Sequence, residues 1–504
     1  MSILLILFLT LLPFEFENPK ENYIQTIATS FEIYTERFDL FGNILLFIPF
    51  GFALAGFLED RRLNFIKIAI SVTIASCLLS VTVETLQVFL PERSSNSIDI
   101  LSNTTSGFTG FLIFYFWGGN IVKVIFWILK VSKRWLNIKW AIAIFLGYLI
   151  AICFLLFSFQ DATQLSNWDN RYPLLVGNEV TADRPWKGQV SQFCIADRAA
   201  SKTEVSQLLN DRNSCDAISQ SLLASYQFDG NRQRYSDLTK TLPDLISQGN
   251  LTQKTTSQDL GVLLDGQHWL QTTESVKLIT EKVQVRSQLT LVSTLATADT
   301  NQEGPARIIS LSQNVSSRNF TLGQEKDELS FRLRTPLTKE NGAHPESLVP
   351  NVFADTQFHR VAIVYDGWTV KIYVDRPRNL YQFQLSPDAA LFWSVMSFFD
   401  TTVYLNPLSI FVYKVLYYGI LFVPLGWLFA IVWVSYRGNL IFSLLTIGCG
   451  ILLPALLIEG TISSCMERSW QIGNISLGIV LESIAFLVTH NELAAWWRST
   501  VDYT

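Results

Sequence analysis

The chain has 504 residues, of which 49% are hydrophobic and only 16% charged, with a formal net charge of −5. That length allows several domains, and so few charges exclude a chain that is soluble throughout. The acidic balance, with no basic patch interleaved with aromatics, excludes a nucleic-acid partner.

The composition averages two unlike materials. Apolar residues dominate 1–160 and 405–490, whereas 161–390 is rich in Ser, Thr, Gln, Asn and Asp. The expected domains are therefore 1–160, a membrane domain of five helices, then 161–390, an inserted domain, then 391–504, a second membrane half of three helices. A bilayer core of about 30 Å needs about 20 apolar residues as helix. In chain order the expected spans are Ile3–Leu12, Phe41–Leu58, Phe65–Leu90, Ile98–Trp117, Trp140–Phe159, Val415–Val434, Leu440–Ile462 and Ile475–Val488. The first is short and could be a secretory signal. It lacks a positive start and a small-residue cleavage site, which favours an uncleaved helix.

Orientation follows from Lys and Arg in short loops. Arg61-Arg62, the group Lys123, Lys130, Lys133, Arg134 and Lys139, and Arg437 all fall on one side if the N-terminus is cytoplasmic. Both termini are then cytoplasmic and residues 161–390 extracytoplasmic.

One membrane pattern occurs twice at a constant offset of 375 residues, as from Glu84 to Glu459. Pro49 falls on Pro424, Gly51 on Gly426, Arg93 on Arg468 and Asp99 on Asn474. Such a repeat makes the protein a duplicated membrane unit with a domain between the halves. Ionisable groups within spans are functional hypotheses by default. The candidate polar site is Glu84, Gln87, Arg93, Asp99 and Asn103, with Glu459 and Arg468 in the second copy. An arginine fork facing a carboxylate could hold an anionic lipid headgroup, or the same residues could simply join helices. The second copy departs at Ile462, Gly478 and Glu482, which stand where the first has Gln87, Asn103 and Gly107.

Asn43-x3-Phe47-x-Pro49-x-Gly51, Glu84-x2-Gln87 and Arg93-x5-Asp99-x3-Asn103-x3-Gly107 resemble the VanZ-like membrane proteins over about residues 36–120, with a degenerate copy at about 411–490. The resemblance implies a bacterial envelope protein linked to a glycopeptide response, and supplies no reaction.

Residues 161–390 read as an all-β sandwich. The runs 359–365 and 368–374 flank Asp366-Gly367, a hairpin signal, and short runs recur at Leu223–Phe228, Gln288–Thr294, Ala306–Leu311, Asn319–Leu322 and Leu329–Leu333. SYQFDG at 225–230, DGQHWLQT at 265–272 and QFHRVAIVYDGWTVKIYVD at 357–375 resemble the laminin-G/concanavalin A-like jelly roll. The stretch 174–205 resembles that family's closing strand but comes first, so the domain is read as circularly permuted. The resemblance implies a carbohydrate-binding module, with Ca²⁺ as a conceivable cofactor, and Trp186, Trp269 and Trp368 as candidates to stack on sugar rings. No metal-ligand cluster is evident. Cys194 and Cys215 could form a disulfide outside the cell, although their spacing does not demand one. A separable insert of this kind predicts that deleting 171–385 leaves a foldable bundle.

Two functions follow. In one, a polytopic α-helical bundle presents a glycan-binding jelly roll outside and recognises an envelope glycan or lipid-linked saccharide without catalysis. In the other, the bundle is an enzyme acting on a lipid-phosphate or lipid-linked glycan, with Glu84 as base and Arg93 as phosphate clamp. The absence of an identifiable nucleophile with a neighbouring base favours the first.

Overall fold

The computed structural model describes residues 2–11, 23, 27, 30–32, 37–90, 95–135, 138–211, 215–250, 261–396, 402–405, 407–434 and 447–501. The chain divides into two units, Met1–Trp140 and Ala141–Thr504.

In the first unit, helices run over Ser2–Leu11, Arg37–Asp60, Phe65–Gln87 and Ser97–Trp135. The Phe65 helix starts where Asn64 accepts the Lys67 N–H at 3.0 Å, an N-cap that satisfies an otherwise orphaned donor. Its buried face carries Ile68, Val72, Ser76, Ser80 and Glu84, while Ile66, Ile70, Ile74 and Leu78 are exposed on the other. Residues four apart share a helix face, so this is a continuous apolar stripe turned outward. Water would penalise it and lipid would not. The Arg37 and Ser97 helices cross almost backbone to backbone. A Cβ on Gly51 would lie 1.9 Å from the Gly107 carbonyl oxygen, and one on Gly110 2.2 Å from that of Ile48. Small residues at such crossings are what lets helices pack tightly where lipid supplies no hydrophobic drive.

The second unit contains a helix over Ile138–Ser158, the β domain, and then helices over Pro407–Val434, Leu453–Cys465 and Ile472–Val501. Its helical part repeats the first unit's crossing. A Cβ on Gly426 would lie 2.4 Å from the Glu482 carbonyl oxygen, and Gly426 and Glu482 stand 375 residues after Gly51 and Gly107.

Among the described residues, five helices are long and apolar enough to cross a membrane: Phe65–Gln87, Lys139–Thr163, Ile410–Trp433, Gly448–Cys465 and Ile472–Asn491. Three of the eight expected spans are not among them. Ser2–Leu11 has ten residues, about 15 Å at 1.5 Å per residue, half a bilayer core. Ile98–Trp117 is helical, but its first turns carry Asp99, Ser102, Asn103, Thr104, Thr105 and Ser106, which lowers its hydropathy. Phe41–Leu58 lies within the Arg37–Asp60 helix. The start of the Leu440–Ile462 span, and with it Arg437, falls outside the described residues.

Alternating and apolar runs in the middle of the chain form two antiparallel sheets around one core. A seven-stranded sheet orders Leu380–Gln384, Thr369–Val374, His359–Tyr365, Leu289–Thr297, Lys187–Ala196 and Leu222–Gln227, with Val262–Asp265 also paired to Lys187–Ala196. A nine-stranded sheet orders Thr402–Tyr404, Glu346–Val349, Glu328–Leu333, Ser317–Glu325, Ala306–Asn314, Leu174–Val176, His268–Thr272, Leu245–Gly249 and Arg234–Tyr235. All pairings within these sheets are antiparallel except Thr402–Tyr404 on Glu346–Val349. The nine-stranded sheet therefore extends past residue 390, to the last strand before the membrane helix. Cys194 and Cys215 are disulfide-bonded, pinning the helix Lys202–Asn210 over the outside of the seven-stranded sheet, where Val205, Leu208 and Leu209 pack on Val292, Ala362 and Val364. Closing a loop of this length stabilises by about 3 kcal/mol in the chain-entropy account.

The β domain's core does not stop at its edge. Phe193, Leu291, Phe320 and Ile363 belong to one buried cluster with Leu149 and Leu156 of the incoming helix and Trp393, Tyr413, Tyr417, Phe422 and Met466 of the returning part. The domain is thus fused to its neighbouring helices by shared apolar burial, and deleting 171–385 would leave that surface bare.

Replacing Gly51 by alanine should force the Arg37 and Ser97 helices apart and cost about 1–3 kcal/mol, as overpacking does. Gly426→Ala should cost a similar amount in the second unit. Detergent thermal melts read both, and an unchanged midpoint would show that the crossing is not tight.

Candidate functional site

Glu84 lies in the last turn of the Phe65–Gln87 helix and is buried. Its Oε2 accepts the backbone N–H of Asn96 at 2.8 Å, and its carbonyl accepts the Ser95 hydroxyl at 2.6 Å. Asn96 in turn accepts the Ile98 N–H at 2.9 Å, opening the Ser97–Trp135 helix. One carboxylate therefore fixes where the next helix begins. The loop segment Ser95–Asn96 also pairs in parallel with Phe31–Glu32. Deeper along the same two helices, Asn103 donates to the Ser80 hydroxyl at 2.9 Å. Gln87 turns the other way and donates to the Thr10 carbonyl at 3.0 Å. Asp99 is half-buried in the first turn of the helix, and its carbonyl accepts the Ser102 hydroxyl. Arg93 lies outside the described residues.

In the second copy Glu459 is buried near the end of the Leu453–Cys465 helix. Its Oε1 accepts Arg468 Nη1 at 2.8 Å, the Gln471 N–H at 2.8 Å and the Ser463 hydroxyl at 3.1 Å, and its Oε2 accepts the Asn474 amide at 3.1 Å. Gln471 stands 375 residues after Asn96, and Glu459 the same distance after Glu84. The same bond, carboxylate to backbone N–H at the start of the following helix, is made in both copies. The change from Asp99 to Asn474 has a physical sense: an amide can donate to Glu459, which an ionised aspartate cannot. At Gly478, where the first copy has Asn103, a Cβ would lie 2.6 Å from the Phe422 ring, so an aromatic fills the space a polar side chain occupies in the other copy. Glu482 is fully buried in the last span, and among the described residues neither of its carboxyl oxygens has a hydrogen-bond partner.

The chemistry of this arrangement is that of a clamp. A carboxylate offers about four acceptor positions, and Glu459 has four donors on it. Three of these donors fall on Oε1 and one on Oε2.

In the β domain, Trp186 is buried and its indole N–H donates to Gln324 at 2.8 Å. Both ring faces are covered, which removes it as a sugar platform. The sequence pattern alone could not show this, because the covering groups come from a strand 138 residues away. Trp269 and Trp368 are only partly buried. Asp366 caps its own hairpin turn, accepting the Thr369 N–H at 2.8 Å and pairing with Lys371 at 2.6 Å. An open groove of about 560 Å³, which the sequence did not reveal, is lined by Arg171, Thr241, Pro243, Glu274 and Lys277. His359 Nδ1 is 2.7 Å from Asp375 Oδ2, and its Nε2 is 3.3 Å from Asp355. The hydrogen bond to Asp375 raises the histidine's pKa above 6.5, against the opposing effect of burial.

Glu459→Gln should strand Arg468 without its counter-ion and cost about 3 kcal/mol, the order expected for breaking a mostly buried pair. Adding Arg468→Met should recover part of that loss in a thermal melt. Full additivity of the two changes would contradict the pairing. The folded state holds the His359 proton more tightly than the unfolded chain, so this contribution is complete below about pH 6.5 and is lost as pH rises through the folded value. Thermal stability should therefore decline on raising the pH from 6.5, and decline less in His359→Gln. An identical decline in the variant would assign the effect to other groups.

The family described as VanZ/LLP1 matches residues 1–118. No curated protein and no solved structure matches the chain. The segment that carries Glu84, Ser95, Asn96 and Asn103 is thus similar to the VanZ/LLP1 family over residues 1–118, within a larger membrane protein that also bears an antiparallel β domain.

Proposed function

We propose that this is a bacterial envelope protein that holds a glycan-binding domain of laminin-G/concanavalin A type, circularly permuted, at the outer face of the cell membrane. Its partner is a cell-surface polysaccharide or the matching lipid-linked saccharide, which ties it to the family's glycopeptide response. The observation that carries this reading is the shared core of the β domain and its flanking helices, which fixes the domain against the membrane rather than on a tether. The Cys194–Cys215 disulfide supports an oxidising, extracytoplasmic location, in line with the distribution of Lys and Arg in short loops. The groove beside Arg171, Glu274 and Lys277 has a size suited to a ligand, and its mixed charges suit a hydroxyl-rich one. Trp269 and Trp368 supply further candidate contacts. The enzymatic alternative with Glu84 as base is less well supported, because its counterpart Glu459 accepts four hydrogen bonds from within the chain.

The test is binding of the full-length protein in nanodiscs to an array of bacterial envelope polysaccharides, with and without Ca²⁺. Saturable binding to at least one is expected, weakened about tenfold, equivalent to about 1.4 kcal/mol, by Lys277→Ala or Trp269→Ala. Silence across the array under both conditions would overturn the proposal.

A further inference from the structure

One face of the nine-stranded sheet builds its hydrophobic core from Ile309, Leu311, Phe320, Leu322, Leu329 and Phe331. The opposite face is also buried, but it is polar. Directly opposed residues of an antiparallel pair project to the same face, and the register sets Ser310, Thr321 and Arg332 in one row across three strands. Arg318 opposes Ser312 in the next row, and Arg307 opposes Gly323 on the other side. Bulges beside Ile309 and Ser312 bring these residues onto the polar face.

Among the described residues, two carboxylates bond arginines of this face. Glu179 accepts Arg307 Nε at 2.9 Å and the Ser312 hydroxyl at 2.5 Å. Glu346 accepts Arg332 Nη2 at 2.5 Å and the Ser330 hydroxyl. Arg318 is fully buried, and among the described residues its Nε, Nη1 and Nη2 all lack a hydrogen-bond partner. Thr321 Oγ1 and Arg332 Nε are likewise buried without a partner. Of the three guanidinium groups that meet on this face, Arg318 is the one whose donors are all unmet among the described residues. Burial and the neighbouring Arg307 and Arg332 lower the Arg318 pKa, against the opposing effect of Glu179 and Glu346. A buried guanidinium that makes none of its hydrogen bonds is costly.

We propose that Arg318, with Thr321 and Arg332, binds a small oxyanion, a carboxylate, phosphate or sulfate group, on this face of the sheet. The planar fork of Arg318 matches two oxygens of such a group, Thr321 supplies a hydroxyl, and Arg332 Nε supplies a further N–H. At the edge of this face the Arg332 and Glu346 side chains keep 13% and 12% exposure. The site stands apart from whatever the groove and tryptophans bind. Its anion comes either free from solution or as the acid group of a saccharide.

Thermal melts of the full-length protein in detergent, in chloride buffer at constant ionic strength, test this with sodium sulfate, phosphate, glucuronate and a short polyuronide. The expected result is a saturable rise in Tm with at least one of them, abolished by Arg318→Met and weakened about tenfold by Arg318→Lys or Thr321→Val. Response to sulfate or phosphate identifies a free anion, and response to the uronates alone identifies a saccharide acid. Should Arg318→Met fail to fold, Thr321→Val carries the comparison. No anion exceeding chloride in wild type, or a rise undiminished in both Arg318→Met and Thr321→Val, would overturn the proposal.

Discussion

A buried carboxylate that accepts the backbone N–H opening the next helix is the interaction on which the helical parts of this protein turn. The first amides of a helix have no partner within it, and near a bilayer water is a poor substitute. Glu84 and Glu459 supply the acceptor from the end of the preceding helix. One bond therefore sets both the length of the connecting loop and the register of two helices. The close Gly51–Gly107 and Gly426–Glu482 crossings follow from that register, because a shift of one residue would place a side chain where only backbone fits.

The two copies solve the same problem with different partners. In the second, Arg468, Ser463 and Asn474 join the backbone donor on Glu459. Near a medium that offers few hydrogen bonds of its own, such convergence at a helix end satisfies backbone and side-chain donors together.

The β domain depends on a different constraint, two-sided burial. Its central strands are buried along nearly their whole length, so each face needs its own cover. The seven-stranded sheet is covered on one side by a disulfide-pinned helix, and the inner core runs on into the membrane helices. The outer face of the nine-stranded sheet is instead polar, with arginines, serines and glutamates.

The residues themselves determined much of this. Among the described residues, five of the eight apolar runs expected as spans are helices long enough for a membrane, the 375-residue offset announces a duplicated unit, and strands such as His359–Tyr365 and Thr369–Val374 follow from alternation around Asp366-Gly367. Those signals are local, or repeat along the chain, and so survive without a fold. Tertiary structure alone decided that Asn96 and Gln471 answer the glutamates through their backbones, which no side-chain pattern encodes. It decided that Trp186 is core, because Gln324 covers it from another strand. It also decided that three arginines scattered over Arg307–Arg332 meet on one face. Their meeting depends on strand register and on two bulges, and register is a property of paired strands rather than of any one of them.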